Sequence, residues 1–365
     1  MTPVNEFFIP EGDSPKDPDA SKDTVASDSQ ASLMGPGVGQ TALGNIAQPS
    51  PYPTGAQYEL VFGDQRAVVT EVGAAVRLYQ VGGRDVIVPF GAHEMSPAAH
   101  AAVLMPWPNR IEDGRYSFDG VDYQLALSEP ERHNANHGLA LYARWELVSM
   151  PPGAVTLRLE LVPQQGYPFS LTCDITYSLG VDGLQVVAHT TNTGDVDAPY
   201  GIGFHPWLSP GAYTIDECVL QVPARGWVRT NERLIPVEET GEIPAELDFR
   251  QPRVLGATVL DDAFVDPVGT DQNAVDHNGR DADGRSWAHF TDPSGVRVSC
   301  WMAEGLECWQ LCTGDGMPGN PRGGLAVEPL SCTANAFRTG QRLVRLKPGQ
   351  THTARWGLSL THTLS

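Results

Sequence analysis

An all-β fold is predicted for this chain, on three observations. Short apolar or alternating runs recur from Gln57 onward, and alternation at period two is the mark of strands with one buried face. Turn signals such as Asp119-Gly120, Asp182-Gly183 and Pro293-Ser-Gly295 separate the runs,. No long segment carries a competing 3.6-residue apolar period. The simplest assembly of so many antiparallel strands is a large sandwich of stacked sheets.

Taken in order, residues 1–54 stand apart. They are rich in Ser, Asp, Pro, Gly and Ala and poor in apolar periodicity. Such a segment cannot bury enough surface to offset its ordering entropy, so a disordered tail is expected. A single β domain is expected over 55–365. The predicted strands begin with Tyr58–Phe62, Ala67–Val72, Arg84–Val88 and Arg115–Asp119. They continue with Val155–Leu161, Leu171–Tyr177, Leu184–Ala188 and Val219–Val222, then Val296–Ser299, Cys308–Leu311 and Ala354–Leu358. Near the C-terminus, Leu325-Ala-Val327 reads as a buried strand ending in Glu328, and Pro329 is expected to stop regular pairing there,. A carboxylate at the end of a buried strand is either functional or satisfied by backbone or an arginine.

Bulk composition excludes several partners. The chain has 365 residues, 41% hydrophobic, with a net charge of −20. That sign repels phosphates, which argues against nucleic acid and anionic membranes. An uncharged ligand is indifferent to it. No apolar run reaches the roughly 18 residues of a spanning helix, and no basic-then-apolar leader opens the chain. Six cysteines without such a leader suggest reduced thiols and a cytoplasmic protein,.

Several side chains are candidates for chemistry. His205 lies among aromatics in Gly201-Ile-Gly203-Phe-His205-Pro-Trp207, where two glycines allow close backbone approach,. His137 sits in the turn-like Asn134-Ala-Asn-His137-Gly138. Either histidine could equally be a core or loop residue making one hydrogen bond. In Met105-Pro-Trp107-Pro-Asn109-Arg110, the tryptophan could stack on a sugar face and the arginine could donate in a fork to hydroxyls. Arg110 could instead pair at the surface with Glu112 or Asp113. Asp261 and Asp262 lie beside the apolar anchor Phe264, or form a turn. Metal is not expected. His133 and His137 have helical spacing in a non-helical setting, Cys308 and Cys312 lack zinc-knuckle spacing, and Asp281-Ala-Asp283-Gly284 lacks the closing acid of a calcium loop,. Tryptophan, arginine, histidines and carboxylates on β-connecting loops suit a polyhydroxylated, uncharged ligand.

These elements together resemble one family, the aldose 1-epimerases or sugar mutarotases. The resemblance spans about residues 57–360. It rests on Asn109-Arg110-Ile with Gly-Arg-Tyr116, on Asn-x-x-His137-Gly, and on Thr191-Asn-Thr-Gly194 followed by Gly-Phe-His205-Pro. Asp261-x-x-Phe264 and Val-Glu328-Pro complete it, all in family order. The resemblance implies a galactose mutarotase-like β supersandwich, a cleft on one sheet and no cofactor. It implies Glu328 as the base that takes the proton from the anomeric hydroxyl, and His205 as the acid that protonates the ring oxygen. It implies Arg110, His137 and Asp261 as positions that hold sugar hydroxyls or the ring oxygen; Asn109 and Trp107, beside Arg110, are expected to join them in binding the sugar. A carboxylate and an imidazolium of complementary protonation near pH 7 are expected, each charge favouring the other. The chain departs from many relatives at Asp197-Ala198-Pro199-Tyr200 and at Leu139, where a second glycine is common. The partner expected is a small sugar, bound by a monomer or homodimer. A phosphorylated or sulfonated hexose, a non-catalytic sugar-binding module, and a hydrolase using Glu328 with Asp261 are the alternatives.

Overall fold

The computed structural model describes residues 50–267, 280–317 and 319–362. The predicted tail lies outside this range up to residue 49, as does the Asp-rich stretch up to residue 279. Chain order is already fixed before Gln57: Thr54 is buried, and its carbonyl accepts the Val72 N–H.

Nearly all regular structure is antiparallel strand. A nine-stranded sheet runs in the order Glu146–Ser149, Ala154–Leu161, Leu171–Gly180, Gly183–Asn192, Thr351–His362, Val296–Met302, Ser286–Thr291, Val219–Gln221, Arg253–Val254. A second sheet orders Pro236–Thr240, Ala224–Thr230, Asp261–Pro267, Cys308–Cys312, Leu325–Leu330, Gly203–Phe204 and Val103–Leu104, with Trp207–Leu208 also pairing to Leu325–Leu330. A four-stranded sheet begins at Gln57–Phe62.

The period-two runs are what the sheets use. Along Leu171–Gly180, Leu171, Cys173, Ile175, Tyr177 and Leu179 are buried and the residues between them partly exposed. The partner strand Gly183–Asn192 pairs in register through the Asp182-Gly183 turn. One core joins the two large sheets, where Trp356 of the first packs its ring 5.1 Å from that of Phe204 of the second. All six cysteines are free. Among the described residues, no helix is long and apolar enough to cross a membrane.

Two expectations are corrected. Pairing does not stop at Pro329: it lies opposite Trp309, and the strand continues to Leu330. The N–H groups of Val327 and Ser331 point to the carbonyls of Pro206 and Ile202. By alternation the nitrogen of residue 329 faces that same side. Proline is tolerated because Gly203–Phe204 and Trp207–Leu208 are separate strands there, so the missing donor falls opposite a break in the neighbour. The run Arg84–Val88 is strand only at Arg84–Asp85. Beyond it Val86 N–H still reaches Tyr79 of the neighbouring strand Val76–Val81, but Val88 N–H turns away to Trp207.

Candidate active site

Strand alternation puts the functional face opposite the core. Leu325 and Val327 enter the large core, so Ala326, Glu328 and Leu330 face the other way,. The same holds next door. Trp309 and Leu311 point inward, while Gln310 lies opposite Glu328. One strand further, Asp261 lies opposite Cys312. Gln310 bridges this face by donating its amide to Asp261 Oδ1 at 2.8 Å. Loops then cover the face and leave a cleft of about 940 Å³, whose walls include Arg110, His137, His205, Trp207, Asp261 and Met317.

The break between Gly203–Phe204 and Trp207–Leu208 turns His205 toward Glu328. Its Nε2 lies 3.3 Å from Glu328 Oε1, with both side chains almost fully buried. Among the described residues His205 Nδ1 and Glu328 Oε2 have no hydrogen-bond partner. Burial drives both groups toward neutrality. It raises the Glu328 carboxyl well above its ordinary value, helped by the Asp261 charge and opposed by Arg110. It lowers the His205 imidazole well below its ordinary value, helped by His137 and His100. The expected mutual stabilisation of two charges is therefore outweighed by loss of solvent,.

Arg110 begins the short strand Arg110–Glu112, paired with Asn134–Asn136. Its guanidinium donates to Glu129 through Nε at 2.9 Å and Nη2 at 3.0 Å, and Nη2 lies 3.6 Å from Asp261 Oδ2. Hydrogen bonding to Glu129 and the charges of Asp261 and Glu129 hold the guanidinium protonated against burial. Glu129 also accepts from Asn134 at 2.9 Å and Arg132 at 3.1 Å. His137 adopts φ 63° and presents its ring edge-on to His205, centroids 5.5 Å apart. Burial pushes its imidazole down to about 3. The next residue must be glycine, since a Cβ on Gly138 at φ +72° would sit 2.3 Å from the Met105 carbonyl oxygen,.

The fold thus gathers His205, Arg110, His137 and Asp261 around one cleft, with Glu328 buried beside His205 and outside the cleft lining. Asn109 lies beneath it, buried, and its Oδ1 accepts from the Arg110 backbone N–H at 2.9 Å and from Arg110 Nη1 at 3.3 Å. Trp107 is corrected. It is a core side chain against Phe337 and Tyr167 and does not line the cleft, because the turn through Pro106 and Pro108 directs it inward. Arg110 does not pair with Glu112 or Asp113, which bind Arg233 and Arg338. Arg115 lies on the surface, where it donates to Gln124. Asp281 caps its own turn, accepting from Asp283, Arg285 and Trp287. His133 is exposed beside Asp113. Among the described residues, no group of three acidic, histidine or cysteine side chains could hold a metal.

Three site residues escaped sequence reading. Glu129 had no motif. Gln310 stood in a predicted strand and was detectable only by register. Trp207 was read as an aromatic neighbour of His205 and not as a wall of the cleft.

Fold and site define a β-sandwich protein whose cleft is lined by a carboxylate-held arginine and by a histidine that contacts a buried glutamate. Residues 57–359 match the aldose 1-epimerase family, and the chain belongs to it. It is 33% identical over 300 residues to the uncharacterized protein YihR of Escherichia coli K12, covering 82% of this chain and 91% of YihR. It is 24% identical over 203 residues to human galactose mutarotase, covering 53% of this chain and 56% of that protein. The fold is shared with the GalM/aldose epimerase homologue from C. elegans, at TM-score 0.72 and 18% identity, covering 85% of this chain and 99% of that one.

Proposed function

We propose that this chain is a mutarotase that interconverts the α and β anomers of a free hexose. The observation that carries the reading is the His205–Glu328 pair, 3.3 Å apart, with His205 in the wall of a cleft beside Arg110 and Asp261 and Glu328 buried next to it. The family supports the class of reaction.

Anomer exchange needs one proton taken from the C1 hydroxyl and one given to the ring oxygen. The pair holds one mobile proton and two proton sites, which is the inventory required. A sugar donating its C1 O–H to Glu328 and accepting from His205 at the ring oxygen favours the carboxylate–imidazolium form. Glu328 takes the hydroxyl proton, the C1–ring oxygen bond breaks, and His205 protonates the released oxygen. The aldehyde turns about C1–C2. The steps then reverse on its other face, with Glu328 returning its proton to the C1 oxygen and His205 taking its own back. Atoms and charge balance without a further reactant. Arg110, held by Glu129, and Asp261, held by Gln310, are preorganised to grip hydroxyls.

The test is polarimetry of freshly dissolved α-glucose and α-galactose with wild type and with Glu328→Gln. Acceleration by wild type alone supports the reading. Equal acceleration by both would sink it.

A further inference from the structure

A histidine that exchanges protons at Nε2 is usually oriented through a hydrogen bond at Nδ1. Among the described residues no other residue supplies one to His205, whose ring has only its own backbone beside it for that purpose. Its ring is placed by other rings. Trp207 stacks on it, centroids 5.6 Å apart and planes 20° apart, and His137 meets it edge-on.

Trp207 is itself held firmly. Its Nε1 donates to the Ala98 carbonyl at 3.2 Å. His100 lies near-parallel to the indole at 5.2 Å, 16° from its plane. Gly314, at φ +66°, packs so tightly that a Cβ there would fall 2.8 Å from the ring. The Trp207 backbone pairs with Ala326, two residues before Glu328 on the same strand. One ladder therefore sets the spacing between the stacking ring and the carboxylate.

We propose that Trp207 is a positioning residue, whose indole face holds the His205 ring with its Nε2 3.3 Å from Glu328, in place of an Nδ1 hydrogen bond to another residue. The proposal deepens the mutarotase reading and rests on it for its kinetic consequence, but not for its structural one. Trp207 also lines the cleft, so a simple sugar-contact role is the competing account, and it predicts a different kinetic signature.

The experiment compares full-length wild type, Trp207→Phe and Trp207→Leu. Anomer exchange gives kcat and KM separately. Nitrogen-15 histidine spectra at pH 7, with His205 identified by its loss in His205→Asn, report the ring's tautomer and order. Trp207→Leu is expected to lose about 10²-fold in kcat, the scale of a small misplacement of a reacting group, with KM changed less than about threefold. Its His205 signal is expected to broaden or divide between tautomers. Trp207→Phe, which keeps an aromatic face, is expected to recover most of the rate and a single His205 form. A raised KM with unchanged kcat in Trp207→Leu would overturn the proposal, as would an unaltered His205 signal. Should Trp207→Leu fail to fold, Trp207→Phe decides: a kcat loss smaller than about tenfold with one His205 form supports the proposal, and a larger loss overturns it. If no hexose is turned over by wild type, the mutarotase reading fails while the spectra still judge the placement of His205.

Discussion

Glu129 grips Arg110 with both carboxylate oxygens, at 2.9 and 3.0 Å, and so aims the guanidinium edge at Asp261. The two side chains are nearly buried. Removing one partner of such a pair leaves the other's charge uncompensated, which typically costs about 3–5 kcal/mol. Glu129→Gln is expected to lower stability toward the smaller of those values, because Asp261 and Asn109 still face Arg110. Urea unfolding measures this, and a rise in sugar KM should accompany it. A loss within about 0.5 kcal/mol, the scale of a surface change, would contradict the role given to the pair.

Glu328→Gln and His205→Asn are each expected to lose about 10² to 10⁴ in kcat, the range of general acid–base assistance. Sugar binding, followed by calorimetry, should survive in both, because each replacement retains hydrogen-bonding atoms. The double variant should lose little more than either single one, since the two groups act on one shared proton.

Stability should fall on the acid side of neutrality. Burial pushes His100 down to about 4 and His137 to about 3, while both titrate near 6.5 when unfolded. Between pH 6.5 and 4 the unfolded chain takes up protons that the folded rings refuse. Each ring therefore costs about 1.4 kcal/mol per pH unit as the pH drops through that window. Glu328 acts oppositely. Its raised folded value contributes stability that is complete below about 4.3 and is lost as pH rises through the folded value,. Melting at pH 7 and pH 5 should show a clear drop, and His100→Gln should shrink it. An equal drop in that variant would remove His100 from the account.

Gly138→Ala should be strongly disruptive. A methyl group there meets the Met105 carbonyl at 2.3 Å, at a φ of +72°. Backbone strain of this kind costs about 1–3 kcal/mol, and relief would shift the adjoining His137. Loss of thermal stability with a raised sugar KM is the expected result. A variant with unchanged melting would show that the turn can open.

The period-two runs made the fold legible, because alternation is a property of each strand by itself. Leu171–Tyr177 and Val155–Leu161 announced both their structure and their buried faces. The candidate residues were legible as short motifs in order: His205, Arg110, His137 and Asp261 do line one cleft, and Glu328 contacts His205. The tryptophans show where such reading ends. Trp107 and Trp207 each sit beside proline, and no local pattern says which enters the core. Glu129 reaches Arg110 from 19 positions away in the chain, and Gln310 reaches Asp261 from 49.

By itself the sequence determined the all-β class, the strands with one buried face and the set of polar residues available for chemistry. Only the tertiary structure decided which of them touch, which tryptophan walls the cleft, and that His205 and Glu328 are driven toward neutrality. The reason is physical. Side-chain alternation is local and repeats every two residues, whereas partner choice and desolvation depend on sheet register and loop closure, which join segments far apart in the chain.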